Sequence, residues 1–147
     1  MTFKNLPQFK KKLRKRLQTN VPRNLGKAMI KSALLVRNEA ISSIVSGNKT
    51  GSTYSRGGKT HTASAKGEAP ASDTGTLVSG ISHQVVMEGK NVVGKITAFA
   101  SDGSGGNYAK HLEFGTTNMG ERPFMQPALN KNARKIERIF KRQGLIK

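Results

Sequence analysis

The chain has 147 residues, no cysteine, and a formal charge of +18 from 26 Lys and Arg against 8 Asp and Glu. That length suits one domain with a real core, since ~150 residues bury roughly 70% of their unfolded surface. The lack of cysteine excludes disulfides and thiolate metal sites, no apolar run approaches the ~20 residues of a membrane-spanning helix, and the charge favours a polyanionic partner, nucleic acid or an acidic protein surface.

The charge sits at the two ends: residues 1–38 hold eleven basic side chains and no acidic one, and residues 130–147 hold seven with Glu137 alone opposing them. Leu6, Phe9, Leu13 and Leu17 recur at helical spacing among Lys10, Lys11, Lys12, Arg14, Lys15 and Arg16, which predicts a short amphipathic helix with a basic face. Such a start imitates the charged part of a targeting peptide, but no apolar core follows it, which argues against secretion. Val21-Pro22 predicts an interruption, followed by a longer helix over about 23–46. Its stripe would be Ile30, Leu34, Ile41 and Ile44, with Ala33 and Val45 beside it and Gly47 as its stop. Solvated helix faces usually mix both charge signs, so these one-sign faces are expected to meet DNA phosphates or acidic neighbours.

Residues 48–72 are Gly, Ser, Thr and Lys with one aromatic, Tyr54, and cannot build core, so the segment reads as a long structureless loop, of a length that is usually functional or disordered. Gly58-Lys59-Thr60 invites a phosphate-loop reading. Thr53 stands where the leading glycine belongs and no apolar strand precedes it, so nucleotide binding is not expected. Asp73-Thr74-Gly75 reads as a cap and turn, with Asp73 accepting backbone N–H bonds from the residues after it. Ile81, His83, Val85 and Met87 alternate with Ser82, Gln84 and Glu88. Val92, Ile96 and Ala98 alternate with Lys95 and Thr97, so a β-hairpin with its turn at 88–91 is predicted, then a flexible loop over 101–106.

The stretch 108–129 concentrates the large side chains Tyr108, Leu112, Phe114, Phe124, Met125 and Leu129. A helical turn over 109–113 stopped by Gly115, a polar loop over 116–120, and Arg122 held extended by Pro123 are predicted, with Pro123 and Pro127 suited to a helix opening. Phe114 and Phe124 are expected to be buried and to carry the packing. Glu113 is expected to be an interface or structural carboxylate, paired with Arg122 across the loop, and His111 to make a surface hydrogen bond with Glu113. A last amphipathic helix from about 127 to 143 would use Leu129, Ala133, Ile136 and Phe140, with Gly144 closing it. The fold class is therefore α+β. One domain over 1–147 would comprise basic helices (1–46), the long loop (48–72), the hairpin and large-side-chain stretch (73–129) and the C-terminal helix (127–147). His61, His83 and His111 show no metal-ligand spacing, and no nucleophile and base stand out, so neither enzyme chemistry nor a cofactor or metal is expected.

The pattern Tyr108-Ala109-x-x-x-Glu113-Phe114-Gly115-Thr116, then Arg122-Pro123-Phe124-Met125-x-Pro127-Ala128-Leu129, resembles the neck or tail-completion family of tailed bacteriophages. A second matching piece lies upstream in the same order: Gly67-Glu68-Ala69-Pro70, Asp73-Thr74-Gly75, then Leu77, Ser79 and Ile81. The resemblance covers about 50–129, the basic helices fit only in general character, and it implies that 48–72 is an extended loop or arm that reaches a neighbouring subunit. It implies a virion structural protein at the head–tail joint, made in the host cytoplasm and forming a homo-oligomeric ring of six or twelve copies. Such a ring joins head-closure or connector proteins to the tail tube or tail terminator, lets DNA pass with non-specific contact, and touches no membrane. The signature residues Asp73, Thr74, Gly75, Tyr108, Glu113, Phe114, Gly115, Arg122, Pro123 and Phe124 would serve structure and subunit contacts, and Lys10, Lys11, Lys12, Arg14, Lys15 and Arg16 would face DNA or an acidic partner. Two other readings stand beside it: a tail terminator of the same region, and a non-viral basic nucleic-acid-binding protein, which charge alone favours. Against the latter, RNA-binding signatures are missing, and Tyr54 and Tyr108 are too few for a stacking platform.

Overall fold

The computed structural model describes residues 6–89, 91–101, 103 and 106–146; of the predicted features, the side chain of Leu6, Lys90 in the hairpin turn and residues 102, 104 and 105 of the 101–106 loop lie outside that description. Helix α1 (Leu6–Lys15) passes through a wider π turn (Arg16–Asn20) into α2 (Val21–Ser46), so the interruption predicted at Val21-Pro22 is absent. Pro22 sits in the first turn of α2, and just ahead of it the Val21 N–H reaches back to the Arg16 carbonyl. The extra residue in that turn relieves the clash a proline ring makes with the carbonyl four residues back, which lets the rod continue.

Helix α2 is the axis on which the other elements rest. Against it pack the antiparallel hairpin β3 (Ile81–Glu88) and β4 (Asn91–Ala98), and the C-terminal helix α5 (Met125–Arg142). Its buried side is Ala28, Ser32, Ala33, Val36, Ala40 and Ile44, three or four residues apart, as one face of a helix requires. The predicted stripe is met in part: Ile44 and the flanking Ala33 are buried and Leu34 and Ile41 half-buried, but Ile30 and the flanking Val45 are exposed. Small residues face the core since they let neighbouring backbones come close. Gly94 of β4 faces this side of α2, where a Cβ on it would lie 3.7 Å from Ala33 Cβ and 2.9 Å from Met29 Sδ.

The β3–β4 register runs from Ile81↔Ala98 to Glu88↔Asn91, with Gly89 at φ +61° in the turn. Ile81, His83 and Val85 share the inner face with Ala98, Ile96 and Gly94, while Ser82 and Thr97 join hydroxyls at 2.8 Å on the outer face. The predicted alternation fades toward the turn, where Met87 is exposed beyond the reach of α2. Helix α5 is also rotated relative to the predicted stripe: it buries Ala128 and Asn132, and leaves Leu129 and Ala133 exposed. Gly144 at φ +66° follows its end.

The segment 48–72 is not structureless. It holds a second antiparallel hairpin, β1 (Thr53–Arg56) and β2 (Lys59–Thr62), extended at its base by two bonds of 2.9 Å, the Gly51 N–H donating to the Ala63 carbonyl and the Ala63 N–H to the Ser52 carbonyl. Gly57 (φ +56°) and Gly58 (φ +75°) fill the two-residue turn, which needs positive φ at both positions. Gly58-Lys59-Thr60 is thus a hairpin corner and the start of a strand. Two short helices complete the fold, α3 (Thr76–Ser79) and α4 (Ala109–Phe114). The architecture is α+β, with a core that gathers Val36, Ala40 and Ile44 of α2, Leu77 of α3, Ile81 of β3, Ala100 after β4, Ala109 of α4, and Phe124 and Ala128 at the start of α5, while β1 and β2 contribute none of these residues.

Candidate functional site

The two stretches that carry the resemblance meet in space. The Gly67 N–H donates to the Glu121 carbonyl at 2.9 Å, and Arg122 reaches the other way, its Nε donating to the buried Ser64 carbonyl at 3.1 Å and its backbone N–H to Leu112 at 2.7 Å. At the root of the arm, Glu68 accepts from the Thr50 hydroxyl (2.5 Å), the Thr50 N–H (3.0 Å) and the Ala65 N–H (2.9 Å). Those bonds, the Thr50 hydroxyl first, hold its carboxyl below the usual range. Lys49 ties the arm to the end of α2, donating to Ser43 O at 3.1 Å and Ala69 O at 2.6 Å. Burial lowers its pKa, with Glu68 opposing.

Glu113 does not pair with Arg122, nor does it bond His111. Its Oε2 accepts the N–H groups of Phe124 (2.8 Å) and Met125 (3.0 Å), and its Oε1 that of Gln126 (2.9 Å). These are donors that the first turn of α5 cannot satisfy internally, so a carboxylate eleven residues upstream caps the helix and complements its positive end. Arg122 spends its guanidinium on carbonyls instead, Gly120 being the second at 3.4 Å.

Asp73 is likewise not a local cap. Its carboxylate accepts from Arg56 Nη1 at 2.6 Å and from the Tyr54 hydroxyl at 3.2 Å, and stands 3.4 Å from His61 Nε2. It therefore anchors the β1–β2 hairpin, and the Arg56 guanidinium beside it holds its carboxyl below the ordinary range. Tyr54 and His61, paired across the hairpin, stack with ring centroids 5.7 Å apart. The turn itself is closed by Thr74, whose hydroxyl bonds that of Thr76 at 2.8 Å, and by Gly75 at φ +78° ahead of α3. Asp73, Thr74, Gly75, Tyr108 and Arg122 border one groove of about 340 Å³ under the arm. The sequence reading missed this cluster. Gly57-Gly58 was its signal, because a two-residue turn there sets Tyr54 opposite His61.

A second, more apolar groove of about 620 Å³ runs along α4 and the start of α5, floored by Val36, Ile96 and Phe124 and bordered by Phe114, Glu121 and Leu129. The expectation for the two phenylalanines divides here: Phe124 is 1% exposed and Phe114 is 74% exposed. At about 100° per residue, Phe114 lies on the far side of α4 from Ala109 and Leu112, which face the core. Gly115 then turns the chain at φ +73°, where a Cβ would stand 2.9 Å from Met119 O. Pro123 is half-buried on the wall of the same groove.

On α1 and the π turn, Lys10, Lys11, Lys12, Arg14, Lys15 and Arg16 are all exposed, and the ion pairs among the described residues involve none of them. Among those residues no three His, Asp or Glu stand close enough to hold a metal ion, and no helix is long and apolar enough to cross a membrane. The built features are tethers, grooves and a positive rod, which are means of binding. Comparison with known protein families, curated proteins and solved structures finds no match to the chain.

Proposed function

We propose that this chain is a structural subunit of a phage virion, forming a neck or tail-completion ring of six or twelve copies at the head–tail joint. The observation that carries the reading is the pairing of a resemblance-bearing stretch with an open apolar surface. Glu113, Arg122 and Glu68 spend their polar groups on internal tethers, while Phe114 and its groove are left for a neighbour to cover. In a closed ring one heterologous contact repeats by rotation. One side of the ring meets head-closure or connector proteins, the other the tail tube or tail terminator, and DNA passes through the middle. The α1 cations then face DNA phosphates or acidic neighbours, and no turnover or cofactor belongs to this role. Labelling the protein in purified tailed-phage particles tests the reading: label at the joint is expected, label at the tail-proximal end alone favours the tail terminator, and absence from particles overturns both.

The unpaired cations of α1 favour one rival, a free-standing nucleic-acid binder. That reading requires tight duplex binding by the isolated protein, with a steep salt dependence and no base preference if phosphates alone are met.

A further inference from the structure

Helix α1 and the π turn after it present an exposed apolar line. Phe9 is 61% exposed, Leu13 43% and Leu17 58%, at i, i+4 and i+8, so they share one face. The rod from Leu6 to Ser46 is helical throughout, about 60 Å at 1.5 Å per residue, so α1 cannot fold back over its own body. We infer that the face carrying Phe9, Leu13 and Leu17, on α1 and the π turn of one copy, seats in the groove beside Phe114 in a second copy of the chain.

Charge and shape choose that occupant. Helix α1 is basic with no acidic residue, and the groove rim carries Glu121, whose carboxylate alone among the described residues has no hydrogen-bond or ion-pair partner: Glu39, Glu68, Asp73, Glu88, Glu113 and Glu137 are all engaged. Glu121 is thus open to Lys10, Lys11 or Arg14 of the arriving helix, with Lys110 the opposing cation on that rim. The groove floor is apolar, and an amphipathic helix laid in such a groove anchors through side chains three, four and seven or eight apart. Each copy offers one stripe and one groove on different parts of its surface, so the contact is head-to-tail and propagates from copy to copy. The inference rests on the ring-subunit reading for self-association, and adds which surfaces join.

With no native cysteine, every cross-link reports introduced thiols, and each single variant oxidised alone measures its own symmetric dimer, above which the mixed dimer is read. Leu13→Cys and Leu129→Cys are both at exposed positions. Mixed and oxidised, the two single variants are expected to give a cross-linked dimer, and the double variant a ladder of higher species, while Leu13→Cys mixed with Met87→Cys, near the β3–β4 turn, gives neither. Glu121→Lys without any cysteine is expected to weaken self-association at least tenfold by sedimentation, with an unchanged circular dichroism spectrum. Oligomers that form without the Leu13–Leu129 cross-link, or that Glu121→Lys leaves unaltered, overturn the docking and leave the ring reading standing. A wild-type chain that sediments as a monomer at every concentration overturns both.

Discussion

Glu113 and Phe114 are adjacent in the chain and do opposite work, the first turned inward to cap α5 and the second turned outward on the groove rim. Phe124→Ala should therefore cost ~3–5 kcal/mol in chemical denaturation, the usual range for a buried Phe. Phe114→Ala should change stability by less than ~1 kcal/mol and yet weaken assembly, since surface truncations away from packing cost little. Equal destabilisation by the two would contradict their placement. Glu113→Ala should cost ~1–2 kcal/mol, as loss of a helix cap does, and Glu113→Gln less, because an amide oxygen still accepts. That this stretch was important could be read from its density of large side chains. Which phenylalanine was buried could have been read too, from the turn angle between Ala109 and Phe114, whereas the capping role of Glu113 depends on a loop closure that no local pattern encodes.

Among the elements, the β1–β2 hairpin is held to the body by Asp73, and its attachment should follow that carboxylate. Asp73 has a folded-state pKa below its unfolded value of ~3.9, so the stabilisation is fully present above that value and is lost as pH falls through the folded pKa. The Thr53–Thr62 amide resonances should thus broaden or shift as pH falls below about 4, and Asp73→Asn should loosen the hairpin already at neutral pH and remove that acid transition. A hairpin indifferent to both changes would mean that its own ladder suffices. The β3–β4 hairpin was legible because its residues alternate apolar and polar, but β1 and β2 are polar on both faces and leave no period to read. The long helix was legible in extent and only partly in orientation, with Ile44 and Ala33 buried as the pattern requires and Ile30 exposed. Its large aliphatic residues mark one stripe, while the core selected the smaller residues beside it so that Gly94 and α5 could approach.

At the scale of the molecule, the α+β class followed from two strong helical periods flanking an alternating segment, whereas the straight run of α1 into α2 did not. Pro22 signals a break, and only the π turn ahead of it cancels that signal. The consequence is a rod whose cations and apolar line are exposed, with Lys12, Lys15 and Arg16 bordering Gln143 and Gly144 in a groove at the end of α5. Reversing Lys11, Lys12, Arg14 and Lys15 to Glu should leave the monomer's circular dichroism intact and block the joining of heads to tails; infectious particles at normal yield would show that the basic face is dispensable. A subunit with a net charge of +18 repels its copies unless anions or neighbours meet that charge, so assembly should also depend on salt or added polyanion. The most direct measurement is electron microscopy of the purified wild-type chain with class averaging, across salt concentrations and with and without short duplex DNA. Closed rings of six- or twelvefold symmetry with an open axial channel are expected, and a population of monomers in every condition would contradict the ring.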